Sequence, residues 1–210
     1  MDCCKISRRS KTCKRRSDGK IFKLPRRFTK KKCRKVRGFS MRSSCAPYRD
    51  CVRGGGNSKQ YKATSHIDMN GVTGKVQFSS HGNTCRIKYH IRGLPNGRHG
   101  FHIHRCGDLT KGCSGGCDHF NPTNSTHGGL HSSIRHAGDL GNINSKKGTT
   151  KGSITATNLS CDPSSKYSIV GRMIIIHADE DDLGKGNNDE SKITGNAGKR
   201  IACAVIGRAD

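Results

Sequence analysis

From Tyr61 onward the sequence is cut into short runs, and this limits the fold more than any other feature. Eight runs show partial alternation of apolar and polar residues: 61–68, 74–80, 84–91, 99–105, 138–144, 150–158, 172–177 and 200–206. Gly, Asn and Pro separate them, and Leu94-Pro95-Asn96-Gly97 is the strongest turn signal. Alternation with a period of two puts successive side chains on opposite faces of a strand. No segment carries a convincing helical period. The pattern predicts an all-β domain, an antiparallel sandwich or barrel of eight strands.

The residues before this region have another character. Residues 1–60 hold 21 Lys and Arg against 3 acidic residues, a net of +18. The remaining 19 Lys and Arg stand against 12 acidic residues, a net of +7, so most of the +25 belongs to the first part of the chain. Residues 1–53 are rich in Lys, Arg, Ser and Cys, show no sustained period, and have too few apolar residues to offset their own ordering entropy. Gly54 to Ser58 reads as a flexible linker. The expected organisation is a disordered basic leader over 1–59 and one folded domain over 60–210. The leader's role stays open between contact with nucleic acid or another polyanion, a targeting segment, and a solvated tail.

Several classes fall away. Apolar runs such as 173–176 and 201–206 are strand-sized and far short of the roughly 20 residues a spanning helix needs. The N-terminus lacks the apolar core of a secretory signal, so an intracellular, cytoplasmic setting is expected. A Cys-x-x-Cys pair occurs nowhere among the 12 cysteines, which argues against zinc-finger and thioredoxin-like readings.

Two segments between strands, 106–137 and 178–199, are too long for hairpin loops and are crowded with His, Asp, Gly and Cys. Just before the first stands His102-Ile103-His104. Residues i and i+2 of a strand share a face, so both imidazoles can reach one metal. His119, His127, His136, Asp139 and His177 follow. Zinc and copper both favour imidazole, and a carboxylate suits zinc better than copper. His66, His81, His90, His99 and His131 are read as surface histidines.

Seven stretches in order carry a resemblance: Gly100-Phe101-His102-Ile103-His104, Asp118-His119-Phe120-Asn121-Pro122, His127-Gly128-Gly129, His136-Ala137-Gly138-Asp139-Leu140-Gly141-Asn142, Val170-Gly171-Arg172, the run from His177 to Gly186, and that from Gly195 to Cys203. Together they resemble the copper–zinc superoxide dismutase family over roughly residues 61–210. The resemblance implies an eight-stranded antiparallel Greek-key barrel with two long functional loops. It implies disproportionation of superoxide to dioxygen and hydrogen peroxide by Cu(II)/Cu(I) cycling, with one copper and one zinc ion per subunit. His102, His104, His119 and His177 would bind copper; His119, His127, His136 and Asp139 would bind zinc, His119 bridging the two. Asp181 would tie His102 to His127 from behind the metals. Arg200 would attract and orient the anion. Cys113 and Cys203 would form the intrasubunit disulfide, contributing about 4–5 kcal/mol in the chain-entropy model.

Some positions depart from the family. The dimer interface would be apolar, but its matching positions hold Thr64, His66, Cys106 and Arg208. A homodimer with a weakened or altered interface is therefore expected, and docking of a copper chaperone is in doubt. Asp189, Glu190, Lys192 and Thr194 match an anion-steering loop, with the Lys one residue early. Cys106 and Cys117 are additional; a second disulfide, stray-metal binding and no role are all open, with no role favoured. Cys85 and Cys161 look like small core or surface thiols. A basic leader would also suit packaging with nucleic acid in a virus particle.

Overall fold

The computed structural model describes residues 60–209, together with 3, 11–15, 19–23 and 45. The chain separates into two compact units, Met1–Ser58 and Lys59–Asp210. In the first, β1 (Thr12–Lys14) pairs antiparallel with β2 (Ile21–Lys23), and Cys13 is disulfide-bonded to Cys3. Strands of three residues are too short to leave an alternating signature, so sequence reading passes over them. The expectation of disorder for the rest of the leader, and the 54–58 linker, lie outside the described residues.

In the second unit the alternating runs become β3 (Tyr61–Met69), β4 (Val72–His81), β5 (Thr84–Arg92), β6 (Gly97–His104), β7 (Asp139–Ser145), β8 (Thr149–Thr157), β9 (Met173–His177) and β10 (Arg200–Val205). A further strand, β11 (Gly207–Ala209), follows after Ile206. One sheet has the order β11-β3-β4-β5-β8 and the other β10-β9-β6-β7, with antiparallel pairing throughout. The last expected run, 200–206, thus supplies β10 alone, and β11 lies beyond it in the other sheet.

The β3–β4 hairpin closes through Asn70-Gly71, both at positive φ (53° and 78°), the backbone that a two-residue turn matching strand twist requires. Leu94-Pro95-Asn96-Gly97 makes no hairpin. It carries the chain from β5 in one sheet to β6 in the other, and Leu94 plugs the core.

Alternation sets the core. Ile67, Val76, Phe78, Ile87 and Ile91 point inward from the five-stranded sheet and meet Phe101, Ile103, Ile143, Ile174 and Ile176 from the other. Cys85 and Cys161 are both buried there as free thiols. Strand β9 is buried at all five positions. Ile174 and Ile176 join the sandwich core, while Met173 and Ile175 pack on the opposite side against Cys113 and Cys203. The four-stranded sheet is therefore covered on both faces, and the outer cover comes from the two long loops. Among the described residues no helix is long and apolar enough to cross a membrane.

Adjacent residues on β5 test this register. Ile87→Ala should cost about 2–5 kcal/mol, through lost transfer energy and a cavity, and Lys88→Ala on the outward face less than about 0.5 kcal/mol. Urea unfolding of the full chain measures both; equal costs would contradict the assigned faces.

Candidate metal centre

The outer face of β6 supplies the first two groups of the site. Phe101 and Ile103 point into the sandwich, so His102 and His104 point away from it, and both are buried beneath the loops. The β6–β7 register shifts between Gly100 and His102, which leaves His102 opposite Asp139. The β10–β9 register shifts just past Arg200, which pairs with His177. Such bulges re-aim side chains, and both sit at the site. The 106–137 loop returns to β6 at its end: Phe120 donates to the Ile103 carbonyl (2.8 Å), and Ile103 donates to the Gly138 carbonyl (2.9 Å). A Cβ on Gly138 would stand 2.1 Å from the Ile103 carbonyl oxygen, so only glycine permits this approach.

Two four-residue groups result, each with donor atoms close enough for one ion: His102, His104, His119 and His177; and His119, His127, His136 and Asp139. All seven residues are buried, His119 belonging to both groups. His102, His127 and Asp181 make a third group.

The hydrogen bonds settle which ring nitrogens remain available. His102 Nε2 meets Asp181 Oδ2 at 2.9 Å, and His127 Nε2 meets Asp181 Oδ1 at 2.9 Å. His104 Nδ1 donates to the Cys117 carbonyl (2.8 Å), and His177 Nδ1 to that of Gly198 (3.1 Å). The opposite nitrogens turn inward. His104 Nε2 and His177 Nε2 lie 3.4 Å apart. His102 Nδ1, His119 Nε2 and His127 Nδ1 are buried without a hydrogen-bond partner. Buried polar atoms left unpaired are costly, and lone pairs converging on one point fit a cation. In the second group, Asp139 Oδ1 stands 2.8 Å from His119 Nδ1, 3.1 Å from His127 Nδ1 and 3.2 Å from His136 Nδ1. His119 alone faces both groups. The donor sets fit imidazole-favouring metals, the carboxylate-bearing set suiting zinc.

Protonation follows the same geometry. Burial and the neighbouring His119 hold His102 down to about 3, and burial lowers His177 to about 4, so both stay neutral at physiological pH. Burial also opposes a charge on His127, but the adjacent carboxylates of Asp139 and Asp181 outweigh it and raise the group to about 9. Burial disfavours ionised Asp139 and Asp181 too, yet their histidine partners keep both carboxyls well below the usual range.

Beside the first group a cavity of about 540 Å³ opens, lined by His104, His119, His177, Thr194, Lys199 and Arg200 among others. Arg200 donates through Nη1 to the carbonyls of Cys113 (2.9 Å) and Ser114 (3.2 Å), and through Nη2 to that of Cys117 (2.6 Å). Cys113 and Cys203 are disulfide-bonded. The second long loop forms a short helix, α1 (Asp189–Ile193), capped by Asn188, where sequence reading expected none. Of its steering candidates, Glu190 and Thr194 line the cavity. Lys192 instead donates to the Gly184 carbonyl, and Lys199 is the lysine at the cavity.

Other residues differ from expectation. Cys106 and Cys117 form a second disulfide, contrary to the favoured reading that they do nothing. His99 is buried, not on the surface, with its ring between the carbonyl oxygens of His177 (2.9 Å) and Pro95 (3.0 Å). Arg135 is buried and donates to the carbonyls of His136, Ala137, Asp139 and Thr157, which fixes the turn carrying two site residues. Asn142 accepts from the Asp181 backbone and donates to its carbonyl, both at 2.8 Å. Spacing gives no signal for His99, Arg135 or Asn142, because their partners are main-chain atoms.

A family model described as copper/zinc superoxide dismutase (SODC) matches residues 72–206. The superoxide dismutase [Cu-Zn] of Paramecium bursaria Chlorella virus 1 is 52% identical over 140 residues, covering 66% of this chain and 74% of that protein.

His127 makes metal binding proton-linked. With a metal-free value of about 9 the ring is protonated at neutral pH, so a cation must displace a proton from it. Zinc affinity of the Asp139-containing group should therefore rise about tenfold per pH unit from about pH 7 to 9 and then level off. Competition with a chromophoric chelator measures it; a flat profile would contradict the raised value.

Proposed function

The chain belongs to the copper/zinc superoxide dismutase family, oxidoreductases that act on superoxide in antioxidant defence, and from that premise we propose how its residues divide the work. His102, His104, His119 and His177 hold copper; His119, His127, His136 and Asp139 hold zinc. The observation that carries this reading is His119, whose Nδ1 faces Asp139 while its Nε2, buried and unpartnered, faces the other group. The finer architecture we propose is an eight-stranded Greek-key barrel, with β11 the continuation of β10.

Copper, when bound, supplies the one-electron chemistry, which zinc does not. The protein's part is positioning and protons. Arg200, held by three carbonyls at the cavity wall, draws in superoxide and orients it beside His104 and His177. His119 Nε2 is the atom that takes up a proton and passes it to the departing product. Asp181, bonded to both His102 and His127, couples the two groups and fixes both rings.

We also propose two associations. Thr64, His66, Cys106 and Arg208 replace an apolar dimer patch, which favours a weak homodimer, because polar and charged side chains cost more to desolvate than the apolar ones they replace. That change also weakens docking of a copper chaperone. A polyanion is the second partner: in addition to the +18 charge of residues 1–60, the outward face of the five-stranded sheet carries Lys62, Lys75, Arg86, Lys88, Arg92 and Lys151 against Asp68. An intracellular setting, the cytoplasm of a host cell or a virus particle, is in keeping with the viral source of the relative.

Stopped-flow superoxide decay tests the enzyme reading. The copper- and zinc-loaded chain should turn over rapidly and more slowly as salt rises. Arg200→Ala should lower kcat/KM by about 10–100-fold, and His119→Ala should abolish the coupling between the two metals. A loaded parent no faster than buffer would sink the reading. Sedimentation velocity of the full chain, alone and with a 24-base-pair DNA duplex, tests the associations. A monomer at micromolar concentration that shifts with the duplex at low salt only is expected; a tight dimer, or no shift, would remove the corresponding partner.

A further inference from the structure

The Cys106–Cys117 disulfide meets the site at a strained residue. Cys117 has φ 60° and ψ −150°, a region that essentially only glycine occupies, and other residues stay there only when their surroundings force them to. Its carbonyl also serves two residues of the site. It accepts from Arg200 Nη2 at 2.6 Å and from His104 Nδ1 at 2.8 Å. One oxygen therefore aims the guanidinium and fixes the His104 tautomer, leaving His104 Nε2 to face His177. Relaxation of Cys117 to negative φ would swing that carbonyl away from both.

The sulfur bond opposes that relaxation from a firm base. Cys106 lies two residues beyond the end of β6. Its N–H donates to the Gly116 carbonyl (2.9 Å), and the preceding Arg105 N–H donates to that of Asp118 (2.8 Å). Arg172 Nη1 in turn donates to the Arg105 carbonyl (2.7 Å). With a Cα–Cα separation of 5.5 Å, the disulfide ties Cys117 to this anchored strand end. Cys113–Cys203 does the equivalent for the Cys113 carbonyl, which holds the guanidinium's other nitrogen.

We infer that the Cys106–Cys117 disulfide is a positioning device, holding the Cys117 carbonyl in a glycine-like conformation so that Arg200 and His104 are correctly aimed. The inference rests on the reading of Arg200 as the anion-orienting residue. It makes a distinctive demand: glycine at position 117 should replace the disulfide, because glycine takes this backbone without a steric penalty.

The test uses the full chain loaded with copper and zinc and reads azide affinity from the copper(II) absorption spectrum. Melting temperature, and peptide mapping of Cys113–Cys203, serve as controls. Cys106→Ser should weaken azide binding about tenfold and slow superoxide turnover, while copper content stays the same. Cys106→Ser/Cys117→Gly should restore azide affinity to within about twofold of the parent. Parent-like affinity in Cys106→Ser would overturn the inference, as would a double variant as weak as the single one. Should Cys106→Ser not fold, the double variant decides alone: near-parent affinity supports the device and a tenfold loss removes it. Failure of the underlying reading is distinguishable, because Arg200→Ala would then leave azide affinity unchanged.

Discussion

Two carboxylates, Asp139 and Asp181, are fully buried among six buried histidines. A buried carboxylate is costly unless it is paired and hydrogen-bonded. Here each has found its partners among the imidazoles: Asp139 meets His119, His127 and His136, and Asp181 joins His102 to His127. The arrangement works only while water is kept out and every ring is held at a set angle. The rest of the domain meets those two demands. The sandwich provides a rigid floor, and the loops provide a roof.

The floor is rigid because β6 lies between β7 and β9 and is packed on both sides. Its inward side chains are apolar and anchor it in the core; its outward ones are the imidazoles. The roof is less regular, and its hold on the floor is correspondingly specific. Main-chain bonds stitch Phe120 and Gly138 to Ile103. Arg135 ties four carbonyls together, and two disulfides fix the segment that carries the Arg200 contacts. Long loops without such bonds would sample many conformations, and the donor atoms would not stay convergent.

Much of this was legible beforehand. All eight runs became strands; most have one face in the core, which the period of two records, while β9 is buried on both faces and shows as a short apolar run. Both metal-ligand groups were legible too, through the His-x-His pair and a set of long motifs in order. His99 was misread. Its neighbours on β6 gave no reason to separate it from surface histidines, and its burial comes from carbonyls of Pro95 and His177, the latter 78 residues away. Lys199, which had no expected role, lines the cavity where Lys192 was expected, for a similar reason. Which lysine reaches the cavity depends on where α1 sits, and that five-residue helix is too short to show a period.

By itself, then, the sequence determined the all-β class, the strand boundaries within a few residues and the identity of the candidate ligands, while the Cys113–Cys203 pair was implied only by resemblance to the family. These are properties of residue type and local spacing, together with motifs that survive as words. Only the tertiary structure decided that Cys106 pairs with Cys117, that a further strand after Ile206 joins the other sheet, and which nitrogen of each ring faces inward. Each of those depends on which atoms the fold brings within bonding distance. The pairing is fixed by where the folded backbone places its carbonyls and Cβ atoms, and a linear pattern of residue types does not record that placement.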